Sequence, residues 1–265
     1  MDRARRLEYL RTLGVEAWER RDMPAPPAAV QVTAEPPAPT ETARTRLPET
    51  AAPQLARIPV VTLARAAGSL VSPEVEAQWE SLQGEVLSCT KCALHSTRTQ
   101  GVFGVGNRRA EWLIIGEAPG AEEDRRGEPF VGRAGQLLNA MLKAIGLPRE
   151  QVFIANILKS RPPGNRDPKP DEVAACLPYL MRQIALLQPR LMLAVGRIAA
   201  QNLLATDMAL GRLRGQVHHF GELNTPLIVT YHPAYLLRSP ADKCKAWEDL
   251  KFARSTFQRL ASQEQ

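Results

Sequence analysis

A single carboxylate stands in a loop of small residues that follows an apolar segment. Residues 112–116 read Trp-Leu-Ile-Ile-Gly, and Glu-Ala-Pro-Gly follows at residues 117–120. Apolar runs of this length are typical of buried strands, and an open α/β sheet binds its ligands in the loops at the carboxyl ends of its strands. Because Gly116 and Gly120 lack side chains, a planar ligand can approach this backbone closely. The stretch predicts a ligand-binding loop carrying Glu117; an ordinary connection between a strand and a helix is the alternative.

A histidine follows a second apolar segment in the same way. Residues 226–231 read Pro-Leu-Ile-Val-Thr-Tyr, and His-Pro-Ala-Tyr-Leu-Leu-Arg follows at residues 232–238. A lone histidine at the end of a strand is usually structural. Here, however, the histidine is locked next to a proline and is followed by two leucines and an arginine. This combination indicates a functional loop around His232.

Taken together, these motifs resemble those of the uracil-DNA glycosylase superfamily and, within it, the type-4 or iron–sulfur branch. The similar pattern is Gly-Glu-Ala-Pro-Gly at residues 116–120, Glu-Asp at residues 123–124, Gly-x-Pro-Phe-Val-Gly-x-Ala-Gly at residues 127–135 and His-Pro-Ala-Tyr-Leu-Leu-Arg at residues 232–238. The motifs occur in the family's order, and the resemblance runs from about residue 87 to the C-terminus. It implies a monofunctional DNA glycosylase that extrudes uracil from DNA and hydrolyses its N-glycosidic bond.

The resemblance assigns the recognition of uracil to three residues. Phe130 stacks on the base, and Asn156 distinguishes uracil from cytosine because its amide can both accept from N3–H and donate to O4. His232 donates a hydrogen bond to uracil O2 and stabilises the negative charge that develops on the departing base. The alternatives are a core phenylalanine, a capping or turn asparagine and a structural histidine.

Two neighbouring positions complete the predicted pocket. Gly116 and Ala118 are expected to line it beside the base. In another branch of the superfamily an aspartate at the place of Ala118 holds the attacking water. Since the one nearby acid in this sequence is Glu117, we predict that Glu117 polarises or positions that water.

The resemblance also implies contacts to DNA outside the base pocket. Leu236 or Leu237 is expected to act as the apolar wedge that fills the gap left by the flipped base. Arg238 and Arg161, the latter in the basic loop at residues 159–166, are expected to bind phosphates. A solvated basic loop is the alternative.

The cysteines depart from the family's pattern, which has a Cys-x-x-Cys pair and two further cysteines. Cys89, Cys92 and Cys176 match three of these positions, whereas Ser160 occupies the fourth. A [4Fe–4S] cluster normally takes four thiolates. Ser160 or water could be the fourth ligand, Cys244 could supply it, or the cluster could be lost. We predict a structural [4Fe–4S] cluster, with zinc on the same ligands as the alternative and no nucleotide cofactor.

Apolar runs and helical patterns alternate along residues 73–265, which is typical of a sheet covered on both faces. The sequence therefore predicts an α/β fold, namely a three-layer α/β/α domain with a central, mainly parallel four-stranded sheet. The predicted strands are residues 112–116, 152–158, 191–195 and 227–231, and the predicted helices are residues 75–86, 134–145, 171–187, 198–204 and 246–260.

A different composition precedes this domain. Residues 1–22 predict a short amphipathic helix, and residues 23–72 are rich in proline and alanine, which predicts a disordered linker. A helix on a long tether is typical of a docking peptide. Residues 10–18 faintly resemble the peptide with which the psi subunit of the DNA polymerase III clamp loader holds the chi subunit, so a replication protein is one candidate partner; a peptide without a partner is the alternative.

The composition favours a nucleic-acid partner. The 265 residues carry a formal net charge of +6 and the pI is about 9.4, and a basic balance favours polyanions. No apolar run approaches the roughly 20 residues that span a bilayer, and the N-terminus lacks a signal-peptide core. We therefore expect a cytoplasmic monomer that acts on single- or double-stranded uracil-containing DNA without contacting a membrane.

Three other functions compete with this prediction. The chain could be a non-catalytic binder of damaged bases, or a glycosylase of altered specificity that removes a base such as hypoxanthine. Asn156 argues against altered specificity. A redox sensor built on the cysteines is disfavoured because it leaves Phe130, Asn156 and His232 without roles.

Overall fold

The computed structural model describes residues 72–263. The predictions for the N-terminal helix and nearly all of the linker lie outside these described residues. Within residues 72–263, no helix is both long enough and apolar enough to cross a membrane.

The described chain folds around one six-stranded sheet with the strand order β1-β3-β2-β4-β6-β5. The four central strands are parallel, whereas each outer strand pairs antiparallel with its neighbour. The strands are β1 (Val105–Gly106), β2 (Trp112–Gly116), β3 (Phe153–Asn156), β4 (Leu191–Val195), β5 (His218–Phe220) and β6 (Thr225–Thr230).

The prediction of a parallel four-stranded sheet is confirmed for its centre but wrong in the number of strands, which is six. The edge strands β1 and β5 contain two and three residues. Such short segments cannot show a hydrophobic period, and edge strands are often kept short because this discourages pairing with other chains.

All five predicted helices are present within the described residues. Three shorter ones, each of six residues or fewer, were not predicted, because a helix of so few residues shows too little periodicity. The helices are α1 (Pro73–Leu87), α2 (Ala121–Arg126), α3 (Arg133–Ala144), α4 (Pro170–Leu187), α5 (Arg197–Leu204), α6 (Leu210–Leu213), α7 (Pro233–Arg238) and α8 (Lys243–Gln263).

The helices cover both faces of the sheet, as the three-layer prediction requires. Alternate residues of one strand point to opposite faces: Leu113 and Ile115 belong to the core formed with α1, α4 and α5, and Ile114 belongs to the core formed with α3, α7 and α8. All five residues of β2 and of β4 are buried. Their continuous apolar runs thus reflect burial on both faces.

The register of the parallel strands brings the candidate site residues together. Gly116 at the end of β2 lies opposite Asn156 at the end of β3. On the other side, Val195 at the end of β4 lies opposite Thr230 at the end of β6, two residues before His232. The four carboxyl ends are adjacent along one edge of the sheet, which is where open α/β sheets bind their ligands.

Candidate active site

Three predicted residues meet where β2 ends. A Cβ atom built on Gly116 would lie 2.4 Å from Oδ1 of Asn156 and 2.7 Å from two ring atoms of Phe130. Real Cβ atoms do not approach other heavy atoms so closely. The missing side chain of Gly116 is therefore what allows the amide and the aromatic ring to converge, and these three residues form the centre of the candidate site.

Phe130 is held in an unusual backbone conformation. Its φ is 55°, in the left-handed region that bulky L-residues avoid at a cost of about 1–3 kcal/mol, and the residue is only 6% exposed. A Cβ atom on Gly135 would lie 1.8 Å from the carbonyl oxygen of Phe130. The Gly-Arg-Ala-Gly run at residues 132–135 thus permits the turn that places the ring.

Asn156 presents a polar atom without a partner. The side chain is 2% exposed, and its buried Oδ1 accepts no hydrogen bond from any residue within 72–263. A buried acceptor without a donor costs about 1–3 kcal/mol, so such an atom is expected to meet a ligand. Lys159 supports the backbone of Asn156, because its Nζ donates to the Asn156 carbonyl at 2.9 Å and to Gln183 Oε1 at 2.6 Å.

His232 faces the same space. Its ring centroid lies 5.6 Å from that of Phe130, with 32° between the planes. His232 is also the N-cap of α7, where its Nδ1 accepts a hydrogen bond from the Ala234 N–H at 3.1 Å. Because Nδ1 is an acceptor, the proton of the neutral imidazole resides on Nε2, which is then free to donate.

Burial keeps this imidazole neutral. It lowers the pKa of His232 to about 4, and the positive charge of Arg238 acts in the same direction, while Glu123 opposes both. The side chain is consequently a neutral Nε2–H donor throughout the physiological pH range.

Glu117 follows Gly116 directly and is half-buried. Burial raises the pKa of its carboxyl to about 7; the negative charge of Asp167 adds to the shift and Arg197 counteracts it. A carboxyl group that titrates near neutral pH is suited to exchange protons with water. Ala118, the next residue, is half-buried and packs against the α1–α4–α5 core.

The structure distinguishes between the two predicted wedge residues. Leu236 is 1% exposed and packs in the core formed with α3 and α8, so in this conformation it is not accessible to DNA. Leu237, the next residue on α7, is 36% exposed. Because only Leu237 points outward, it is the residue able to enter a DNA duplex.

The predicted phosphate-binding residues are accessible to different degrees. Arg238 is exposed and Arg161 is half-buried, with its Nε donating to Asn165 Oδ1 at 2.8 Å. Two other basic residues of the loop at residues 159–166 are engaged elsewhere: Lys159 is fully buried, and Arg166 binds both carboxylate oxygens of Glu172. The basic loop therefore offers DNA fewer cations than its sequence indicates.

The structure brings three of the four cysteines together. Cys89 and Cys92 follow α1, and both pack against the core that contains Cys176. Burial raises the pKa of the Cys176 thiol; the Lys159 N–H, 3.5 Å from its sulfur, opposes this, and the nearby Cys92 and Cys89 add to it.

Ser160 lies at the same place. Its hydroxyl oxygen accepts from Nη1 of Arg98 at 2.8 Å, while Nη2 of Arg98 donates to the Cys89 carbonyl at 3.0 Å. Cys244 is separate from this group, because it is exposed in the first turn of α8 and that helix packs on the opposite face of the sheet. Cys244 is therefore not positioned to be the fourth ligand.

Cys89, Cys92, Cys176 and Ser160 form a set of possible ligands, but they are not close enough together to bind a single metal ion. No group of three or more His, Cys, Asp or Glu side chains within residues 72–263 could hold one metal ion. The thiolates of a four-iron cluster each bind a different iron atom, so they stand farther apart than the ligands of one ion. Three soft thiols and one neighbouring hydroxyl fit an iron–sulfur cluster in ligand chemistry.

The segment that follows the cysteines is tied to α2. The backbone N–H of Thr99 donates to both carboxylate oxygens of the buried Asp124, at 2.9 and 3.0 Å. The preceding residue of α2, Glu123, accepts from the Val131 and Gly132 N–H groups at 3.0 and 3.1 Å. The same short helix therefore contacts both the cysteine segment and the loop that carries Phe130.

Three residues that shape the site were not singled out from the sequence. Lys159 supports Asn156, Glu123 holds the Phe130 loop, and Arg149 donates to the carbonyl oxygens of that loop. Glu123 and Arg149 bind backbone atoms 8 and 20 residues away in sequence, and Lys159 combines a contact to the backbone three residues away with one to Gln183 on α4. No local pattern in the sequence indicates these contacts, although Glu123 belongs to the Glu-Asp pair of the motif.

Comparison with known proteins agrees with this arrangement. Residues 103–251 match the family model described as the uracil DNA glycosylase superfamily. The chain is 48% identical over 162 residues to the type-4 uracil-DNA glycosylase of Archaeoglobus fulgidus, covering 59% of this chain and 81% of that protein. It is 43% identical over 177 residues to that of Pyrobaculum aerophilum (64% and 90%). It is 38% identical over 188 residues to that of Thermotoga maritima (69% and 97%).

The raised pKa of Glu117 predicts a specific dependence of stability on pH. Between about pH 4.5 and 7 the folded state holds a proton on Glu117 that the unfolded state has released, so the free energy of unfolding falls as the pH rises. Glu117→Gln lacks this loss and should become more stable than the wild type by about 1–2 kcal/mol at pH 8, after allowance for partial exposure. Urea unfolding at pH 4.5 and 8 measures the difference; a difference independent of pH would contradict the assignment.

Proposed function

This chain belongs to the uracil-DNA glycosylase superfamily and, within it, to the type-4 enzymes, and from this premise we propose how its residues excise uracil from DNA. The chain is a hydrolase that acts on the N-glycosidic bond of uracil in DNA repair. Its proposed catalytic group comprises His232 and Glu117, and its proposed base-binding group comprises Phe130, Asn156 and Gly116.

One observation supports this proposal most directly. The unpartnered Oδ1 atom of Asn156 and the ring of Phe130 converge beside Gly116, whose missing side chain lets them approach each other. A base extruded next to these two side chains would place one face against the ring and its N3–H group against the orphaned acceptor. Uracil carries a donor at N3, whereas cytosine carries an acceptor there, so the site discriminates between them.

The selectivity follows from the hydrogen-bonding capacity of one amide. In the proposed complex the Oδ1 atom of Asn156 accepts from uracil N3–H, and its Nδ2 atom donates to O4. Cytosine has an acceptor at N3 and an amino group in place of O4. In the same position, Oδ1 would therefore face another acceptor and Nδ2 would face another donor. A buried site built around such bonds rejects a base that cannot make them.

Bond cleavage transfers charge to the base. As the bond between the sugar C1′ and uracil N1 breaks, its electron pair stays with the uracil, and negative charge spreads to O2. The Nε2–H of His232 donates to O2 and stabilises this charge. Burial keeps the imidazole neutral and the Ala234 N–H on Nδ1 keeps its proton on Nε2, so His232 acts as a fixed dipole and does not transfer its proton.

The sugar carbon then takes a water molecule. We assign Glu117 to orienting this water and accepting its proton while the hydroxyl bonds to C1′, which leaves an abasic site in DNA and a uracil anion that takes a proton from solvent. Its pKa near neutrality suits the role, because the carboxylate must be ionised to accept a proton. The exposed Leu237 would fill the gap that the flipped base leaves in the duplex, and Arg238 and Arg161 would bind flanking phosphates.

The iron–sulfur cluster belongs to the same proposal. Cys89, Cys92 and Cys176 would hold it, with the Ser160 oxygen at the fourth position. When bound, such a cluster would supply structural cross-links between the segment after α1, the loop after β3 and α4. The donor chemistry of the convergent cysteines supports this assignment.

Release of uracil from single- and double-stranded substrates tests the enzymatic function. His232→Ala should lower the rate about 100- to 1,000-fold, as expected for loss of one donor to a developing anion. Asn156→Ala should lower it about 10- to 100-fold, because one buried polar contact is worth roughly 1–3 kcal/mol. His219→Ala, which removes an exposed histidine, is the matched control and should match the wild type.

Two results would contradict the proposal. The first is a wild-type protein that produces no abasic site in either substrate, as a non-catalytic binder would. The second is excision of hypoxanthine in preference to uracil across a panel of deaminated bases.

The pH dependence of the rate tests Glu117 separately. The ratio kcat/KM should rise with pH through about 7 in the wild type as Glu117 ionises, since this ratio reports groups of the free enzyme. Glu117→Gln should be slower and should lose that rise. An unchanged profile in Glu117→Gln would remove this residue from the role.

Metal content tests the cluster. Anaerobically purified protein should contain about four iron atoms per chain and absorb broadly in the visible region; colourless protein with about one zinc would support the zinc alternative. Cys176→Ala should lose the metal, whereas Cys244→Ala, which alters a cysteine on the far side of the sheet, should retain it. Loss of iron in Cys244→Ala would refute the proposed ligand set.

A further inference from the structure

The loop that carries Phe130 is held by two side chains of opposite charge. Arg149, in the short 3₁₀ helix Arg149–Gln151 before β3, donates from Nη2 to the Pro129 carbonyl at 2.7 Å and from Nη1 to the Phe130 carbonyl at 3.3 Å. Glu123 accepts from the next two backbone N–H groups, those of Val131 and Gly132. The cation thus binds the carbonyl groups and the anion binds the amide groups of one turn.

Arg149 is itself fixed. Its Nη1 also donates to Asn139 Oδ1 on α3 at 3.1 Å. The guanidinium is half-buried, and burial lowers its pKa while three surrounding carboxylates raise it. Because Asn139 and partial burial hold the guanidinium independently of the loop, the position of Arg149 helps to define that of the two loop carbonyl groups.

The strained turn explains why such a clamp is needed. Phe130 has its φ at 55°, and a conformation of this kind persists only where the surroundings over-determine it. Without the clamp the backbone would relax to negative φ and carry the aromatic ring away from Gly116. The ring would then no longer lie where a base enters.

We propose that Arg149 is the positioning residue of the base-stacking ring, and that with Glu123 it keeps Phe130 in its strained, base-ready conformation. The proposal rests on the function proposed above, in which Phe130 stacks on the extruded base. Arginine suits the task because its planar fork reaches two adjacent carbonyl groups at once, whereas lysine offers a single donor centre.

The experiment distinguishes binding of the uracil base from binding of the surrounding DNA. The variants are Arg149→Met and Arg149→Lys, and the matched control is Arg108→Met, which removes another partly buried arginine that binds two side chains, Glu76 and Gln83 of α1. Four quantities are measured in the full chain: kcat and KM for uracil release, inhibition by free uracil, and affinity for DNA that already contains an abasic site.

Arg149→Met should lower kcat about 10- to 100-fold, in line with the cost of misplacing a reacting group by about 1 Å. It should weaken inhibition by free uracil about tenfold, while affinity for abasic DNA stays within about twofold. Arg149→Lys should recover part of both losses. These shifts would not arise from general destabilisation, which Arg108→Met reports.

Two outcomes would overturn the inference. One is an Arg149→Met enzyme whose inhibition by uracil equals that of Arg108→Met; the other is a parallel loss of uracil and abasic-DNA binding. Failure of the proposed function would look different, because the wild type itself would then release no uracil.

Discussion

The active site depends on the absence of one side chain. Gly116 ends the central strand β2 opposite Asn156, and the amide of Asn156 and the ring of Phe130 both lie where a side chain of residue 116 would be. The parallel register of β2 and β3 places Asn156 next to Gly116. The strained turn at Phe130 places the aromatic ring there. A methyl group at residue 116 would collide with both, so the observed positions of the strand and the loop require a glycine at residue 116.

Burial acts on the two proposed catalytic groups with opposite consequences for charge. It lowers the pKa of His232, which keeps a potential cation neutral, and raises the pKa of Glu117, which places a carboxyl group near its midpoint at neutral pH. A neutral imidazole remains a donor to the departing base without forming an ion pair with it. Burial thus prepares one group to donate a hydrogen bond and the other to accept a proton.

The sequence predicted the parts of the structure that local patterns encode. The central strands follow from continuous apolar runs, and Phe130, Asn156 and His232 follow from motifs that the structure brings together. Leu236 and Leu237 are adjacent and chemically identical, so only the packing of α7 could tell which one is buried. Lys159 looked like a surface cation because basic residues surround it, whereas its true partners, the Asn156 carbonyl and Gln183, lie inside the fold. Arg149 binds a turn 19 and 20 residues away, a contact that no local period reveals.

Helix α2 is only six residues long, yet its neighbouring carboxylates Glu123 and Asp124 reach in different directions, one to the Phe130 turn and the other to the Thr99 amide. If the helix unwinds, both sets of hydrogen bonds are lost, because Glu123 and Asp124 would move away from their partners together. The segment after Cys92 and the aromatic turn therefore share one cooperative opening event. We therefore expect the Thr99, Val131 and Gly132 amides to exchange their hydrogens through the same opening, with a common opening free energy.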